Sequence, residues 1–246
     1  MAEDRFKNQR GLLDADRLGR TRFVVIGAGA IGSFVVASLS KMGARDITVY
    51  DFDNLEDHNF ANQMYPISQL GRPKVEALKA VSLDYGDCAI KAENRAWTDG
   101  SPETDIVISA VDNMDVRARI FAYYKSRCSF YIDGRMSSLV CRVFGVQTNS
   151  EEQIRHYEST LYPQSEATPE RCGEKSIIFT VLSVASQICQ QVFLYLNNEY
   201  RPTDVNVDMF NNTVEKVYHM TLEPAVFEEE PIKEEVHAES TEVDPT

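Results

Sequence analysis

Three glycines in the stretch GAGAIGS have the spacing of a phosphate-binding loop. The apolar run RFVVI precedes them and an apolar pattern of helical period follows, so the loop joins a buried strand to a helix. Glycines permit the tight turn and let backbone N–H groups approach a phosphate, while the N-terminus of the helix favours an anion. The glycines could also serve only a close crossing of strand and helix. We predict that Gly27, Gly29 and Gly32 bind a nucleotide, although their spacing does not distinguish NAD from ATP.

A carboxylate follows at the distance where nucleotide-binding folds hold a ribose. Asp51 comes nineteen residues after Gly32 (32 to 51), at the end of the next strand-like run, and can accept hydrogen bonds from ribose hydroxyls there. A fold that carried only a redox cofactor would need this one acid. The chain instead continues with a second acid and an amide-rich segment, comprising Asp53, Asn59, Asn62 and Gln63.

Charged and amide side chains also stand at two predicted helix starts. Lys74 follows Gly-Arg-Pro at the start of a helical pattern, and Asp112 and Asn113 follow the apolar run DIVISAV. Each position has a second interpretation: Lys74 as a solvated first-turn lysine, and Asp112–Asn113 as a helix cap. Asp53 and Asn59 could likewise be loop residues that hydrogen-bond their own backbone. Their common order around one predicted sheet edge favours a functional site.

Strands and helices alternate through the first 135 residues. This alternation predicts an α/β fold with a Rossmann-like, mostly parallel, doubly wound sheet. A short helix is expected within residues 1–21. The predicted strands are 22–27, 46–53, 89–96 and 105–111, and the predicted helices are 30–43, 73–84 and 114–127.

The C-terminal half predicts antiparallel strands and one long helix. Strands are expected at 129–134 and 139–147, the second of them antiparallel, and a polar loop with a helical turn at 150–172. Residues 174–200 have the pattern of a long, mostly buried helix. A terminal hairpin joined through Asn211–Asn212 adds two more antiparallel strands.

The charge of the chain is unevenly distributed. The formal net charge is −13 over 246 residues, and the last 26 residues hold eight Glu, one Asp and one Lys. We therefore predict a domain over residues 1–220 and an acidic, disordered tail over 221–246. The body has no surplus of Lys and Arg, which argues against a nucleic-acid partner. No apolar run reaches the roughly eighteen residues of a membrane span, and the charged start is unlike a signal peptide, so a cytoplasmic protein without a membrane partner is expected.

Five motifs together carry a family resemblance. GAGAIGS, DFD, NFANQ, GRPKVEAL and SAVDN occur in the order and approximate spacing of the ThiF/MoeB/HesA superfamily, which includes ubiquitin-activating enzymes. The resemblance covers about residues 1–200. It implies an adenylyltransferase that uses ATP and Mg²⁺ to attach AMP to the C-terminal glycine carboxylate of a ubiquitin-like or sulfur-carrier protein, or to a peptide. It also implies a homodimer.

The resemblance implies roles for the polar positions. Asp51 would bind the ribose, Lys74 the phosphates and Asp112 the magnesium ion, with Asp53 supporting Asp112 or the metal. The cations would screen the repulsion between an attacking carboxylate and the α-phosphate. Further nucleotide contacts are implied for Asn59, Asn62, Gln63 and Asn113.

Two positions depart from the family pattern. Asn62 and Asn8 stand where related proteins carry arginines, and one charge-assisted contact contributes about 1.5–3 kcal/mol. The chain could therefore be a catalytically weak or inactive nucleotide-binding scaffold subunit of an activating-enzyme complex. We favour an active enzyme because Lys74 and Asp112 are retained, whereas an NAD-dependent oxidoreductase rests on the glycine spacing alone. Four neighbouring cations could compensate for the missing arginines: Arg5, Lys7, Arg10 and Arg72.

The five cysteines contain no CxxC pair, which argues against a structural zinc site. In related proteins, a cysteine in the loop before the long helix accepts the acyl group as a thioester or takes part in sulfur chemistry, and Cys172 has this location. Arg171 and the helix start would favour its thiolate, although an inert loop thiol is the alternative. Cys128, Cys141 and Cys189 have the pattern of structural residues, and Cys88 lies before a predicted strand.

Overall fold

The fold is organised around one eight-stranded sheet. The computed structural model describes residues 5–9, 11–167 and 177–219. The strands are β1 (Arg22–Ile26), β2 (Asp46–Asp51), β3 (Lys91–Asn94), β4 (Ile106–Ser109), β5 (Phe130–Ser137), β6 (Val140–Gln147), β7 (Asp204–Asp208) and β8 (Thr213–Val217). Their order is β3-β2-β1-β4-β5-β6-β7-β8. The first five strands are parallel and the last three are antiparallel, which confirms the predicted fold class.

Six α-helices in the described residues cover the sheet. They are α1 (Ala15–Arg20), α2 (Ala30–Met42), α3 (Lys74–Gly86), α4 (Met114–Tyr124), α5 (Glu151–Glu158) and α6 (Ile178–Leu196). One apolar core lies between the sheet and helices α2, α3 and α6, and a second lies between the opposite face and helices α4 and α5. Because both faces are covered, the sheet is doubly wound.

The continuous apolar run of β1 follows from this double cover. Phe23 and Val25 point into the first core, whereas Val24 and Ile26 point into the second. Successive side chains of a strand alternate between the two faces of a sheet, so a strand buried on both faces needs apolar residues at every position.

The strand register gathers the predicted site residues at one edge. Ile26 lies beside Tyr50 of β2 and beside Ser109 of β4. The residues that follow these strands therefore meet at the carboxyl edge of the parallel sheet. The chain order reverses between β1 and β4, and open α/β sheets bind ligands at such a switch point.

Two elements differ from the sequence-based expectation. Residues predicted as a polar loop form helix α5, in which only Gln153 and Tyr157 are buried, so its apolar stripe was too thin to produce a visible period. Ser150 caps this helix by accepting a hydrogen bond from the Gln153 N–H. Strand β5 also continues beyond Gly134 to Ser137, because its pairing with β6 extends as far as Val140.

Helix α6 needs a separate comment because of its composition. It is the one helix among the described residues that is long and apolar enough to cross a membrane by length and composition alone. Ten of its nineteen residues are buried, and it packs against β5, β6 and α2. This burial is expected of a core helix, and the absence of a membrane partner stays a prediction.

Several predictions concern residues outside the described ranges. They include Arg10, Cys172 and the acidic tail from residue 221 onward. The proposed division into residues 1–220 and 221–246 therefore stays a prediction. At the N-terminal side, the expected short helix is present as α1, preceded by a 3-10 turn at Lys7–Gln9.

Candidate functional site

The three glycines between β1 and α2 differ in whether packing requires a glycine at their position. Gly27 has a φ of +99°, and a Cβ there would lie 2.6 Å from the Ala110 carbonyl oxygen. A Cβ on Gly32 would lie 1.8 Å from the Gly27 carbonyl oxygen. Packing therefore requires glycine at both positions. A Cβ on Gly29 would meet no heavy atom within 4 Å, so this residue faces open space.

The N-terminus of α2 opens into the same space. Gly29 is its N-cap residue, and no side chain caps this helix end. The first N–H groups of an α-helix have no partners within the helix, and together with the helix dipole they favour an anion. The loop therefore has the geometry of a phosphate site as well as that of a close crossing.

The Asp51 carboxylate connects this loop to the end of β2. One oxygen accepts a hydrogen bond from the Ala28 N–H at 2.7 Å, and the other accepts one from the Asp53 N–H at 2.8 Å. A carboxylate oxygen can accept more than one hydrogen bond, so this arrangement still permits contact with a ribose hydroxyl. Asp51 is thus held in place at the position predicted for ribose binding.

Lys74 and Asp53 form an ion pair at the same edge. The Lys74 Nζ lies 2.7 Å from Asp53 Oδ2, and the lysine side chain is only 9% exposed, against 50% for the aspartate. The interpretation of Lys74 as a solvated lysine is therefore wrong. The sequence suggested Asp112 or a metal beside Asp53, and the structure shows Lys74 as its partner.

Backbone pairing explains how this ion pair is positioned. The Leu55 N–H donates to the Arg72 carbonyl, and the Lys74 N–H donates to the Asp53 carbonyl, both at 2.9 Å. Asn54 and Pro73 form an antiparallel bridge between these two contacts. The start of α3 is thus fastened to the loop that follows β2, and the Lys74 side chain is directed at the carboxylate.

The amide-rich segment is built partly as a structured loop. Asn59 is buried, and its side-chain oxygen accepts a hydrogen bond from the Glu56 N–H at 2.9 Å within a capping box. The interpretation of Asn59 as a loop-forming residue is therefore confirmed. Asn62 ends this 3-10 turn. The Gln63 side-chain oxygen is buried without a hydrogen-bond partner in the described structure, and the predicted phosphate contacts of all three amides stay predictions.

Two hydrogen bonds fix this loop to the glycine turn. The Met64 N–H donates to Ser33 Oγ at 3.0 Å, and the Tyr65 hydroxyl donates to the Ala28 carbonyl at 2.5 Å. Burial raises the pKa of Tyr65 well above its usual value, and the nearby Asp51 charge adds to this rise. Tyr65 therefore stays a protonated donor at neutral pH.

Asp112 and Asn113 lie at the N-terminus of α4. Asn113 caps the helix, because its side-chain oxygen accepts a hydrogen bond from the Val116 N–H at 3.0 Å. The helix-cap interpretation is thus confirmed for Asn113. Asp112 is exposed, and the Ala110 N–H bonds to the Ile26 carbonyl, which keeps this chain end beside the glycine loop.

A metal ion at this edge would depend on the ligand for much of its coordination. The described residues contain no group of three or more His, Cys, Asp or Glu side chains arranged to hold a metal. Magnesium commonly binds through one or two carboxylates together with substrate phosphates. The exposed Asp112 carboxylate fits that kind of partial site.

The possible compensating cations lie in different places. Arg5 pairs with Asp87 beyond the C-terminal end of α3, and Lys7 lies in the adjacent 3-10 turn with Asn8. Both belong to the edge opposite the glycine loop. Arg72 stands two residues before Lys74 and bonds to Gln69 at 2.6 Å. Among the described candidates, Arg72 is therefore the one on the same edge of the sheet as Lys74.

Two site contacts had no clear signal in the sequence. Gln164 bonds to the backbone of Met114 at the start of α4, and Arg117 bonds to the Val111 carbonyl just before Asp112. Hydrophobic periodicity predicts each helix or strand by itself, so it gives no information on these contacts between different segments.

The four described cysteines are buried and do not form a reactive site. Burial raises the pKa of Cys128 and of Cys189 to about 12, and it also raises the pKa of Cys88 and of Cys141. Their thiols therefore stay protonated at neutral pH. Cys172 lies outside the described residues, and its predicted role stays a prediction.

Comparison with known proteins identifies related sequences. A family model described as "ThiF family" matches residues 5–226. The chain is 33% identical to tRNA threonylcarbamoyladenosine dehydratase 2 of Saccharomyces cerevisiae, over 44% of this chain and 27% of that protein. It is 31% identical to the tRNA threonylcarbamoyladenosine dehydratase of Haemophilus influenzae, over 50% of this chain and 51% of that protein. Ubiquitin-like modifier-activating enzyme 5 of Caenorhabditis elegans is 27% identical over 43% of this chain and 29% of that enzyme.

These alignments span about a quarter to a half of the relatives' own lengths. Solved structures share the fold over more of the chain. E. coli MccB in complex with MccA-N7isoASN has a TM-score of 0.68 at 15% identity, covering 89% of this chain and 72% of that one. PaaA has a TM-score of 0.67 at 14% identity, covering 84% of this chain and 67% of that one.

The glycine loop predicts opposite outcomes for two alanine substitutions. Gly32→Ala would place a methyl group against the Gly27 carbonyl, so we expect a loss of about 3 kcal/mol or more in the free energy of unfolding, or no folded protein. Gly29→Ala is the matched control and should unfold within about 1 kcal/mol of the parent chain in urea, since its methyl group has room. Equal losses in both variants would contradict this assignment.

The buried cysteines predict the thiol reactivity of the native protein. Because the pKa of the described thiols is raised, with two at about 12, only about one such thiol in ten thousand is a thiolate at pH 8. We expect Ellman's reagent to modify at most one thiol rapidly before denaturation, and Cys172→Ser to remove that rapid phase. Rapid reaction of two or more thiols in the folded chain would show that the packing is wrong.

Proposed function

Because the chain belongs to the ThiF family, we propose that it is an ATP-dependent adenylyltransferase that activates the C-terminal glycine carboxylate of a ubiquitin-like or sulfur-carrier protein. The observation that carries this proposal is the buried Lys74, paired with the half-exposed Asp53, beside the open glycine loop. A lysine so deeply buried at a ligand-binding edge suits the recognition of phosphate, because it presents a positive charge that little water can screen. The tRNA dehydratase and MccB likenesses are compatible with this class of chemistry.

Each site residue has a separate role in the proposed reaction. The α2 N-terminus and Lys74 bind the triphosphate, and Asp51 holds the ribose. The substrate carboxylate oxygen then forms a bond to the α-phosphorus, while the bond from that phosphorus to the bridging oxygen of pyrophosphate breaks and pyrophosphate leaves. A magnesium ion held by Asp112 would screen charge on the phosphates. Asp53 balances the Lys74 charge when no phosphate is bound.

A protein carboxylate is the substrate class that the charge of the chain favours. The net charge is −13, and binding of tRNA requires the neutralisation of phosphates by Lys and Arg. The likeness to ubiquitin-like modifier-activating enzyme 5 is compatible with a protein substrate. The 33% identity to a tRNA-modifying relative makes a carboxylate on tRNA the second candidate.

The proposed assembly is a homodimer, and it has apolar surface available. Ile178, Phe179 and Leu182 lie on the first turns of α6 and are between 37% and 49% exposed. Exposed apolar residues that cluster on one helix often mark a protein interface. A cytoplasmic location, with no nucleic-acid or membrane partner, completes the proposal.

The central prediction concerns the two charged residues at the site. Lys74→Ala and Asp112→Ala should each lower ATP–pyrophosphate exchange by at least about a hundredfold, because each removes a charge that stabilises the transition state. Exchange is measured with Mg²⁺ and a candidate ubiquitin-like protein that ends in glycine. Lys79→Ala and Asp84→Ala, two exposed positions on α3, are the matched controls and should exchange at the parent rate.

The same assay separates the competing proposals. Parent-like exchange in the Lys74 and Asp112 variants would reject their assigned roles. ATP binding without exchange, for any acceptor, would support the inactive-scaffold alternative that the Asn8 and Asn62 departures suggest. If tRNA but not protein stimulates pyrophosphate exchange, the substrate is a carboxylate on tRNA and the proposed adenylation chemistry still holds. Turnover of NADH would indicate an oxidoreductase.

A second prediction tests whether a thioester follows adenylation. Adenylation needs no cysteine, so Cys172→Ser should leave pyrophosphate exchange within about twofold of the parent rate while abolishing a thioester that is sensitive to reducing agent. Cys88→Ser, at a buried position, is the control and should still form the thioester. A thioester that survives the Cys172 substitution would assign the step to another residue.

A further inference from the structure

A buried charge cluster lies directly behind the Asp112 loop. Asp133 in β5 is fully buried, and its carboxylate contacts three side chains. Arg117 Nε lies 2.9 Å from Oδ1 as an ion pair whose angle is outside the hydrogen-bond range. Arg135 Nε donates to Oδ2 at 2.7 Å, and the Tyr157 hydroxyl donates to the same oxygen at 3.1 Å.

The charged form of Arg135 is stabilised by its neighbours in this cluster. Burial opposes the charged form of Arg135, but the Asp133 carboxylate and the Tyr157 hydroxyl together outweigh burial, so the pKa of this guanidinium is raised. The Arg135 guanidinium also lies over the rings of Phe144 and Tyr157, at 4.5 and 5.5 Å from their centroids. Two arginines therefore share one carboxylate that has no contact with solvent.

Arg117 connects this cluster to the chain segment that follows β4. Its Nη2 donates to the Val111 carbonyl and lies 3.5 Å from the Gly134 carbonyl. Val111 immediately precedes Asp112, so the guanidinium hydrogen-bonds to the backbone at the start of this loop. Its side chain is only 5% exposed, and removal of a buried multiple donor leaves its partners unsatisfied.

Gln164 contacts the chain just after this loop, at the start of α4. Its side-chain oxygen accepts a hydrogen bond from the Met114 N–H at 2.6 Å, and the backbone N–H of Gln164 donates to Asp115 Oδ1 at 3.0 Å. The reciprocal pair joins the segment after α5 to the first turn of α4. Arg135 anchors the start of that segment through two hydrogen bonds to Thr160, at 3.0 and 3.1 Å.

We propose that Arg117 and Gln164 are positioning residues that fix the Asp112–Asn113 loop against the glycine loop, with Asp133 as the buried anchor of Arg117. The inference rests on the proposed function, because it assigns the positioned carboxylate to magnesium–nucleotide binding. Neither residue touches the reacting atoms. A displacement of about 1 Å at a reacting centre can lower a rate about a hundredfold, so loose support at this loop should be costly.

Two variants and one control test the proposal in the full chain. Gln164→Ala removes the surface contact and leaves the buried cluster intact. Arg117→Lys keeps the charge and removes the fork of donors, which tests geometry apart from charge. Arg119→Met is the matched control, because Arg119 lies on the same helix but is exposed and pairs with Asp99. If Arg117→Lys folds, it should show the same fall in kcat and the same rise in Mg²⁺ requirement as Gln164→Ala, and parent-like values would remove Arg117 from the proposal. If it does not fold, Gln164→Ala decides.

The first measurement needs no activity. Hydrogen exchange of the Met114 amide, without nucleotide or metal, should be at least about tenfold faster in Gln164→Ala than in the parent chain or in Arg119→Met. The Gln164→Ala melting temperature should change by less than about 4 °C. Unchanged exchange at Met114 would overturn the proposal, whatever the enzyme activity proves to be.

The second measurement concerns nucleotide use. In pyrophosphate exchange, Gln164→Ala should lower kcat about tenfold and raise the half-saturating Mg²⁺ concentration, with the KM for the protein substrate unchanged. A purely structural role would not shift the Mg²⁺ requirement. Faster Met114 exchange with normal kcat and normal Mg²⁺ dependence would also overturn the proposal. If the proposed function is wrong, the parent chain itself will show no pyrophosphate exchange. Calorimetric titration with ATP and MgCl₂ then tests the positioning role, because Gln164→Ala should bind ATP more weakly than the parent chain, and equal binding would overturn the proposal.

Discussion

The crossing of α2 over the end of β1 is the contact on which the candidate site depends. At that crossing the backbone of Gly32 lies so near the Gly27 carbonyl that no side chain fits between them. The close approach brings the uncapped N-terminus of α2 to the switch point of the sheet, where it favours an anion. Tyr65 and Ser33 then fasten the amide-rich loop to the same turn. One steric constraint therefore determines where a phosphate can bind and which loop lies beside it.

The charges at the site follow from burial. An ammonium group removed from water needs a partner, and Lys74 has one in Asp53. The aspartate is half exposed while the lysine is nearly covered, so a phosphate that reaches this edge can share the lysine without displacing a buried anion. The buried cluster behind the Asp112 loop is different, because its carboxylate has no access to solvent. The first ion pair can therefore respond to a ligand, and the second provides rigid support.

Local pattern was sufficient to predict most of the fold. The glycine loop, the alternation of strand and helix and the antiparallel C-terminal strands all follow from spacing over short distances, and the structure agrees with each. Helix α5 was not predicted, because only Gln153 and Tyr157 on it are buried and two residues show no helical period. The contacts of Arg117 and Gln164 were not predicted for another reason. Their partners are set by how distant segments pack, and no short pattern in the sequence records that arrangement.

The polar positions show why alternative interpretations of one residue need not compete. Asn113 caps α4 and Asn59 completes the capping box at the start of a 3-10 turn, and both do so through the side-chain oxygen, which accepts a backbone hydrogen bond. The amide nitrogen of the same side chain is a separate donor group that can contact an anion. An arginine has donors alone and could not accept that backbone hydrogen bond. Asparagine at a helix end can thus shape the loop with one atom and present a donor to a ligand with another. A structural role for these residues therefore does not argue against a role in nucleotide binding.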